Sequence, residues 1–506
     1  MACPDGRLPS TTMPLRRGAA LLVALVLVAA SCAKEADSPI GTGDPTTTTA
    51  ATDSSTVGPG GFTPDPIVWD DCGSVECATL TVPLDYADPS GDTLDLYIAR
   101  TPASGERYGA LFVNPGGPGG AAAEYASYVP SVLPDIAEHY DIVGMDPRGV
   151  GGSTPIDCGV DVRDLYAVDP TIENVEDRDA LLAISEHYVA DCAMKYPDLL
   201  PHLGTLDVAR DMDTVRAAMG DQQLSYLGYS YGTAIGEAYA DLFPDQVDKM
   251  ILDGLIALGT TGLQQAHEQA LGFETALQRY VAYCNSAEGC LTAGEALEAV
   301  EMVLARAEQL GGIPAPDANR PAGPGEANLG ISYAMYAESL WPRLDSAISE
   351  ALGGDGSALV DLADGYLDAA GFEVYFAVNC LDYSWPTGDA DAFFSAAKAT
   401  ADAAPHFGEA LVNDFIRCLN WPAPPNPLTR VTAPGAPPIL VVSTTGDPAT
   451  PYEAGVAVAE ALESGILITN EGDGHTVVGQ GKSCIDDLVT DYLLNDVLPA
   501  NGTTCS

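Results

Sequence analysis

Residues 224–233 carry a Gly-x-Ser-x-Gly pattern centred on Ser230, with a short apolar run before it and a helical pattern after it. In this spacing the serine occupies a sharp strand-to-helix turn, and Gly228 and Gly232 leave room for the backbone to close. The turn exposes the Ser230 hydroxyl and directs the Tyr231 N–H and the start of the next helix at a developing oxyanion. The pattern therefore predicts a serine nucleophile. An ordinary glycine-rich loop is the alternative that these five residues alone leave open.

A serine nucleophile needs a general base, and the base needs an acid that holds its tautomer. Of the six histidines, His475 is the one that follows a strand-like run, in the glycine-containing loop 471–475. Asp447 likewise follows a strand-like run. The chain order Ser230, Asp447, His475, with acid and base each after a late strand, is the order of the α/β-hydrolases. We therefore expect a catalytic triad, against the alternative of a turn-capping aspartate and an unrelated loop histidine.

A second glycine-rich segment, Asn-Pro-Gly-Gly-Pro-Gly-Gly at 114–120, follows the strand-like run 110–113. Backbone without side chains can approach a substrate carbonyl closely, so we expect the N–H of Gly117, or that of Gly116, to join Tyr231 N–H in an oxyanion hole. A phosphate-binding loop is the rival interpretation. The segment lacks the Gly-Lys-Ser/Thr ending of such a loop.

The composition is that of a globular protein with a strongly acidic surface. The 506 residues are 46% hydrophobic and 18% charged, enough for a large core. The balance of 21 Lys+Arg against 72 Asp+Glu gives a formal charge of −51. This charge repels phosphate backbones and anionic lipids, so we expect no nucleic-acid partner. The predicted chemistry requires no metal and no cofactor.

Apolar runs predict a mostly parallel sheet. Alternating apolar residues at 78–82 and 94–99, separated by turn residues at 88–92, predict an antiparallel hairpin. Continuous apolar runs are typical of a parallel sheet covered on both faces. They occur at 110–113, 140–145, 224–227, 249–252, 438–443 and 465–469.

Helical periodicity is concentrated between residues 257 and 425. It predicts helices at 263–284, 293–310, 333–352 and 357–369, with a Pro/Gly-rich loop at 314–324. Elsewhere it predicts a helix at 206–219 with Thr205 as N-cap, and a final helix at 485–494. We expect an α/β fold, that of an α/β-hydrolase with an inserted helical cap. Its parts are a core at 67–256, the cap at 257–425 and the rest of the core at 426–506.

The N-terminus has the pattern of an export signal over residues 1–32: Arg16-Arg17, then an apolar run at 19–30. Met13 is an alternative start to Met1. The sequence Ala-Ala-Ser-Cys ending at Cys32 is similar to a bacterial lipobox, which predicts an acylated cysteine and a membrane tether. Cleavage after Ala30 and free secretion is the competing interpretation. The run is shorter than the ~20 apolar residues of a membrane span, and residues 33–66 have the composition of a disordered linker.

The cysteine count is compatible with full pairing outside the cell. Apart from Cys3 and Cys32, ten cysteines remain, and an even set in an exported chain indicates disulfides. The sequence does not determine their connectivity. Pairing of neighbours in order is the simplest arrangement: Cys72–Cys77, Cys158–Cys192, Cys284–Cys290, Cys380–Cys418 and Cys484–Cys505.

Several of these motifs resemble the exported tripeptidyl aminopeptidases, which belong with the prolyl aminopeptidase class of α/β-hydrolase peptidases and carry a characteristic C-terminal segment. The motifs are those at 114–120, 146–153 and 228–233 together with the Asp447 and His475 loops, and the resemblance runs from about 71 to 505. It implies a serine exopeptidase that removes short peptides or single residues from a free N-terminus. Asn114-Pro115 stands where the prolyl aminopeptidases have a histidine, which favours the tripeptidyl branch. Asp146 and Arg148 are expected to hold their own loop.

An aminopeptidase must also recognise the substrate's α-ammonium group, and a partly desolvated cation needs carboxylates near it. The resemblance places this role at or near the cap. Glu373 and Asp382 lie where the cap pattern gives way to the segment around Cys380, and Asp253 directly follows a strand. These three are the candidate substrate-binding residues, against the alternative that each is an ordinary surface charge.

Two other functions stay open at this point. The same triad cleaves esters, so an esterase is the first alternative. The second is an exported lipoprotein that keeps the hydrolase shape without turnover, as a solute-binding or scaffold protein.

Overall fold

The computed structural model describes residues 57–286, 289–369 and 371–506. The predicted signal at 1–32 and most of the predicted linker at 33–66 lie outside the described residues. Within 57–66 the expectation of a disordered linker is wrong in part, because Gly58 and Pro64 are buried. The Gly58 N–H donates to Phe62 C=O at 2.7 Å, and a Cβ at Gly58 would lie 3.3 Å from Thr214 Oγ1. A small residue thus lets the chain pack closely against the domain before residue 67.

One ten-stranded sheet organises the described chain. Its strands are β1 Asp70–Asp71, β2 Glu76–Pro83, β3 Thr93–Thr101, β4 Gly109–Asn114, β5 Tyr140–Met145, β6 Leu224–Tyr229, β7 Val247–Asp253, β8 Ile439–Gly446, β9 Gly465–Asp473 and β10 Thr503–Cys505. The spatial order is β1-β2-β3-β5-β4-β6-β7-β8-β9-β10. The pairs β1/β2, β2/β3 and β3/β5 are antiparallel, and the remaining pairs are parallel.

The burial of the strands explains why their sequence patterns differ. In β2 buried and exposed residues alternate, whereas every residue of β5 and β6 is buried. A strand near the antiparallel edge has one solvated face, but a central parallel strand is covered on both. The predicted hairpin and the mostly parallel sheet are confirmed.

Sixteen α-helices are described. They are α1 Tyr125–Val132, α2 Pro134–His139, α3 Val162–Ala167, α4 Val175–Lys195, α5 Thr205–Met219, α6 Tyr231–Leu242, α7 Gly262–Ser286, α8 Ala296–Leu310, α9 Pro324–Met335, α10 Trp341–Gly353, α11 Ser357–Ala369, α12 Phe372–Asp382, α13 Ala390–Ala401, α14 Gly408–Asp414, α15 Tyr452–Ala461 and α16 Ser483–Asn495. Helices α7 to α14 fall between β7 and β8, where the cap was expected. In the described ranges, no helix is both long enough and apolar enough to cross a membrane.

Two helix predictions are wrong in detail. The segment 333–352 forms the end of α9 and then α10 rather than one helix, because Pro342 stands in the first turn of α10, where proline starts a helix well. Thr205 is the first residue of α5 and not its N-cap, which is Gly204. The Thr205 hydroxyl instead bonds to Asp382 at 2.6 Å.

The cap has a hydrophobic core of its own. Side chains of α7, α8 and α10, among them Phe273, Leu277, Val303 and Leu344, pack into one buried cluster. A separate cluster joins one face of the sheet to α1, α2 and α16. A third cluster joins other cap residues, among them Phe376 and Phe393, to the sheet, so the cap has its own core and is also packed onto the sheet.

The ten cysteines form the five pairs expected from their order. Two of the pairs, Cys284–Cys290 and Cys380–Cys418, lie within the region of the cap. Among the described residues, no disulfide links a cap helix to a strand of the sheet.

Asp146 holds the loop after β5, as predicted, whereas Arg148 ties that loop to α5. The Asp146 carboxylate accepts the N–H groups of Ala123 at 2.8 Å and Gly152 at 2.9 Å. Arg148 is fully buried and forms an ion pair with Asp211 of α5 at 2.7 Å. A buried guanidinium needs such a partner to offset its desolvation.

Candidate active site

Ser230 lies on a strained turn between β6 and α6. Its backbone has φ 55° and ψ −127°, a conformation that residues other than glycine rarely adopt. The Ser230 N–H donates to Asp253 C=O at 2.8 Å. A Cβ at Gly228 would lie 2.5 Å from Gly232 O, so the two glycines allow the strand and the helix to meet. This is the geometry of a nucleophile elbow, which exposes the serine at the end of the sheet.

Asp447 and His475, 28 residues apart, meet after β8 and β9. Both carboxylate oxygens lie 2.9 Å from His475 Nδ1. The carboxylate also accepts the N–H groups of Ala449 and Thr450, each at 2.9 Å. The Thr450 hydroxyl donates to Asp447 Oδ2 at 2.9 Å and lies 3.3 Å from His475 Nδ1. The acid is held from several sides and fixes the ring, so His475 Nε2 is left for the reaction.

Opposing effects set the pKa of His475. Burial lowers it, but the charge of Asp447 and its hydrogen bond raise it, with a smaller contribution from Asp253, and the net pKa is above the usual range. Only the neutral imidazole can accept a proton. Activity should therefore be present above this raised pKa and lost as the pH falls through it.

The cap contributes to the position of the base. The backbone N–H of His475 donates to Tyr336 C=O at 2.8 Å. The Tyr336 ring meets the His475 ring edge-on, with centroids 5.4 Å apart. Gly474 has φ 102°, and a Cβ there would lie 3.1 Å from Tyr336 O. Sequence reasoning missed this contact. The local sequence feature that relates to this contact is Gly474, which precedes His475.

The glycine-rich loop after β4 lies directly against the elbow. A Cβ at Gly116 would come within 2.8 Å of Ser230 Cβ and 2.9 Å of Tyr231 N. The Gly116 N–H donates to Asn114 Oδ1 at 2.9 Å and is therefore occupied. Within the described part of the chain, the N–H groups of Gly117 and Tyr231 donate to no other group. Of the two glycines left open above, the structure thus favours Gly117 as the partner of Tyr231 in the oxyanion hole.

Ser230 and His475 line one cavity of about 260 Å³ between the core and the cap. Seven tyrosines form most of its wall: Tyr125, Tyr128 and Tyr229 from the core, and Tyr333, Tyr336, Tyr366 and Tyr375 from the cap. Pro115, Gly117, Thr476, Val478 and Gln480 complete the lining. Among these described residues there is no Asp, Glu, Lys or Arg. The wall can contact apolar side chains with its rings and peptide groups with its hydroxyls.

Asp382 does not line this cavity, and the expectation that it binds substrate is not supported. Its carboxylate is buried and accepts the Thr205 N–H at 3.1 Å and the Thr205 hydroxyl at 2.6 Å. The same hydroxyl bonds to the phenol of Tyr231. Burial raises the pKa of Asp382 to about 7. Asp382 therefore connects α12 to α5 and α6 and is not available to a substrate.

Glu373 and Asp253 do not line the cavity either. Glu373 stands in the first turn of α12, where its backbone C=O accepts the Tyr188 hydroxyl at 3.1 Å. Asp253 is fully buried, and its side chain accepts the N–H groups of Val477 at 2.7 Å and Val478 at 2.8 Å. Asp253 lies at a strand end, as predicted, but its carboxylate points toward the loop that follows His475 and not into the cavity.

A second, smaller cavity under the cap shares Tyr366 and Tyr375 with the first. Asp414 and Arg417 line it and bond to each other, and the Tyr166 hydroxyl donates to Asp414 at 2.8 Å. Sequence reasoning did not single out this pair. Since Arg417 already offsets its charge, Asp414 does not by itself make an ammonium site.

Proteins named as peptidases and a protein named as a carboxylesterase are similar to this chain over most of their length. Serine protease Hip1 of Mycobacterium tuberculosis is 38% identical over 477 residues, which cover 87% of this chain and 91% of that protein. Tripeptidyl aminopeptidase of Streptomyces coelicolor is 34% identical over 480 residues, covering 87% and 86%. Carboxylesterase B of Mycobacterium tuberculosis is 35% identical over 460 residues, covering 86% of each. Residues 404–505 also match the family described as TAP-like protein.

Proposed function

Since this chain belongs to the family of α/β-hydrolase serine peptidases that includes tripeptidyl aminopeptidase and Hip1, we propose that it releases short peptides from free N-termini. The observation that carries the proposal is the tyrosine-lined cavity under the cap that Ser230 and His475 both line. A cavity covered by a cap admits the end of a peptide more readily than the middle of a folded chain.

The reaction follows from the roles of the residues. His475 accepts the Ser230 proton as Oγ attacks the scissile carbonyl, and Asp447 stabilises the imidazolium that forms. The N–H groups of Gly117 and Tyr231 bind the oxyanion of the tetrahedral intermediate. His475 then donates its proton to the leaving amine, which belongs to the rest of the substrate. The N-terminal short peptide stays bound to Ser230 as an acyl group. In the second half His475 takes a proton from water as the water oxygen attacks the acyl carbon. His475 then returns a proton to Ser230 Oγ as the ester bond breaks and the short peptide leaves.

The cap wall supports recognition of a short N-terminal segment. The ring of Tyr336 lies 5.4 Å from that of His475 and 5.7 Å from that of Tyr366, measured between centroids. These rings form one continuous aromatic wall beside the general base, against which the side chains of a short peptide can pack. Since no carboxylate is among the described residues that line the cavity, the substrate's ammonium group would rest on tyrosine faces, an interaction worth about 0.5–2 kcal/mol.

A blocked N-terminus should therefore weaken catalysis. We expect kcat/KM for an N-acetylated tripeptidyl anilide to be roughly 2- to 30-fold below that for the free tripeptidyl anilide, because acetylation removes the cation. The measurement is a side-by-side determination at one pH, with Ser230→Ala as the blank. Equal values for the two substrates would point to an endopeptidase that uses the same triad.

Ester hydrolysis is a second candidate activity, supported by the similarity to a protein named carboxylesterase B. The triad does not distinguish an amine from an alcohol as leaving group. The hydrolysis of the tripeptidyl anilide should therefore be compared with that of a tripeptidyl ester that has the same acyl group. An enzyme that hydrolyses acetate esters well and every peptidyl substrate poorly would be an esterase.

We also propose that the mature protein acts outside the cytoplasm, tethered through acylated Cys32. The export pattern at 1–32 and the five cysteine pairs support this, because disulfides persist in oxidising compartments. Cells given a labelled fatty acid should incorporate it into the wild-type protein and not into Cys32→Ala. Unlabelled wild-type protein in the medium would indicate free secretion instead.

A further inference from the structure

We infer that Asp253 is a positioning residue that joins the serine turn to the histidine loop and places a negative charge behind the imidazole. The inference rests on the proposed hydrolase function and deepens it, since Asp253 would act through Ser230 and His475 without contacting the substrate.

The hydrogen bonds of Asp253 reach both catalytic segments. Asp253 is the last residue of β7, and its C=O accepts the Ser230 N–H at 2.8 Å. Its carboxylate Oδ2 accepts the N–H groups of Val477 at 2.7 Å and Val478 at 2.8 Å, just after His475. One buried residue thus holds the nucleophile with its backbone and the base with its side chain.

Both segments adjoin strained backbone. Ser230 has φ 55° and Thr476 has φ 61°, and neither is a glycine. Such conformations persist only where surrounding interactions hold them. The bonds from Asp253 fall on Ser230 itself and on the residue that follows Thr476. They are therefore placed to keep the serine and the histidine in their reactive conformations.

The carboxylate is also an electrostatic neighbour of the base. Asp253 is fully buried, and within the described chain its Oδ1 has no hydrogen-bond partner. Burial raises the pKa of Asp253 to about 7, although the two N–H groups and the charge of His475 lower it. Because the group is close to ionisation in the working range, its charge can respond to the protonation state of His475.

Few other groups can exert this effect. Among the described residues, the titratable groups that face His475 are Asp447 from the loop after β8, Asp253 from β7, and from the cap the phenol ring of Tyr336. Burial raises the pKa of Tyr336 well above its usual value, so that phenol is neutral. The charges that favour the imidazolium are therefore those of Asp447 and Asp253.

A negative Asp253 helps to raise the pKa of His475. Removing that charge lowers the pKa, so the neutral base persists to lower pH. The acidic limb of the kcat/KM profile should then move to lower pH by roughly half a unit or more. In the wild type this limb belongs to the coupled pair and not to either residue alone.

Asp253→Asn is the decisive variant, since the amide oxygen can still accept both N–H groups while the charge is gone. We expect its acidic limb to shift to lower pH with only a modest change in kcat. Asp253→Ala also removes the hydrogen bonds, and we expect kcat to fall on the order of 10²-fold with KM changed much less.

Glu237→Gln is the matched control. Glu237 of α6 is likewise buried, and its pKa is raised by burial alone, but it has no electrostatic contact with His475. Its profile should match that of the wild type. An Asp253→Asn profile that also superimposes on the wild type would overturn the inference. Activity that survives in Ser230→Ala would overturn the proposed function itself, so the two failures are distinguishable.

Discussion

Replacing Ser230 with alanine should abolish turnover, with a loss in kcat on the order of 10⁶-fold. The hydroxyl is the atom that forms the acyl-enzyme, and it faces the cavity, so its removal costs little packing. The measurement is kcat on a tripeptidyl anilide, together with labelling by a fluorophosphonate probe and the thermal midpoint. We expect neither turnover nor labelling, and a midpoint close to that of the wild type.

Ser346→Ala is a suitable control, because Ser346 lies in α10 outside the cavity, and within the described chain its hydroxyl donates only to Pro342 C=O. It should retain turnover and labelling. His475→Ala should be nearly as inactive as Ser230→Ala, and the double variant no worse, because members of a triad act as a unit. A Ser230→Ala enzyme with measurable acyl transfer would mean that another residue is the nucleophile.

Gly116→Ala should produce the largest loss expected from a residue outside the triad, on the order of 10²–10³-fold in kcat. Gly116 has φ 91°, and an added Cβ would lie 2.5 Å from Tyr229 O and 2.9 Å from Tyr231 N. These atoms belong to the elbow backbone and cannot move aside cheaply. The methyl group would push the loop away from Ser230 and separate the two oxyanion donors, so kcat should fall far more than KM rises.

Gly220→Ala is the control that separates the backbone strain of an alanine at positive φ from the steric contact that a Cβ makes at Gly116. Gly220 ends α5 with φ 79°, and nothing lies within 4 Å of a Cβ built there. This control should lose stability of about 1 kcal/mol while keeping kcat. If both variants lose the same amount of activity, the close contact at Gly116 does not matter for the oxyanion hole.

The triad could be predicted from the sequence because each of its members follows an apolar run that reads as a strand. Parallel strands end at one edge of a sheet, so Ser230, Asp447 and His475 had to meet there once the sheet was recognised. The oxyanion loop after β4 followed for the same reason. The choice between Gly116 and Gly117 needed the hydrogen bond from Gly116 to Asn114.

The substrate-binding carboxylates could not be predicted in this way. With 72 acidic residues, position along the chain says little about which carboxylate is buried or where it points. Asp253 ends a strand, as expected, but its partner Val477 is 224 residues away. Asp382 pairs with Thr205 across a separation of 177 residues. Contacts of this range come from how the cap and core elements pack, which no local pattern encodes.

The hydrogen bond between Tyr336 C=O and His475 N–H bears on how this scaffold can be re-engineered. Changing substrate preference by grafting a different cap would remove a backbone acceptor that supports the general base. A graft would then lose rate for reasons unrelated to its new binding surface. Redesign that alters the side chains at Tyr333, Tyr366 and Tyr375, but keeps the main chain at 336, changes what the enzyme selects and leaves the machinery intact.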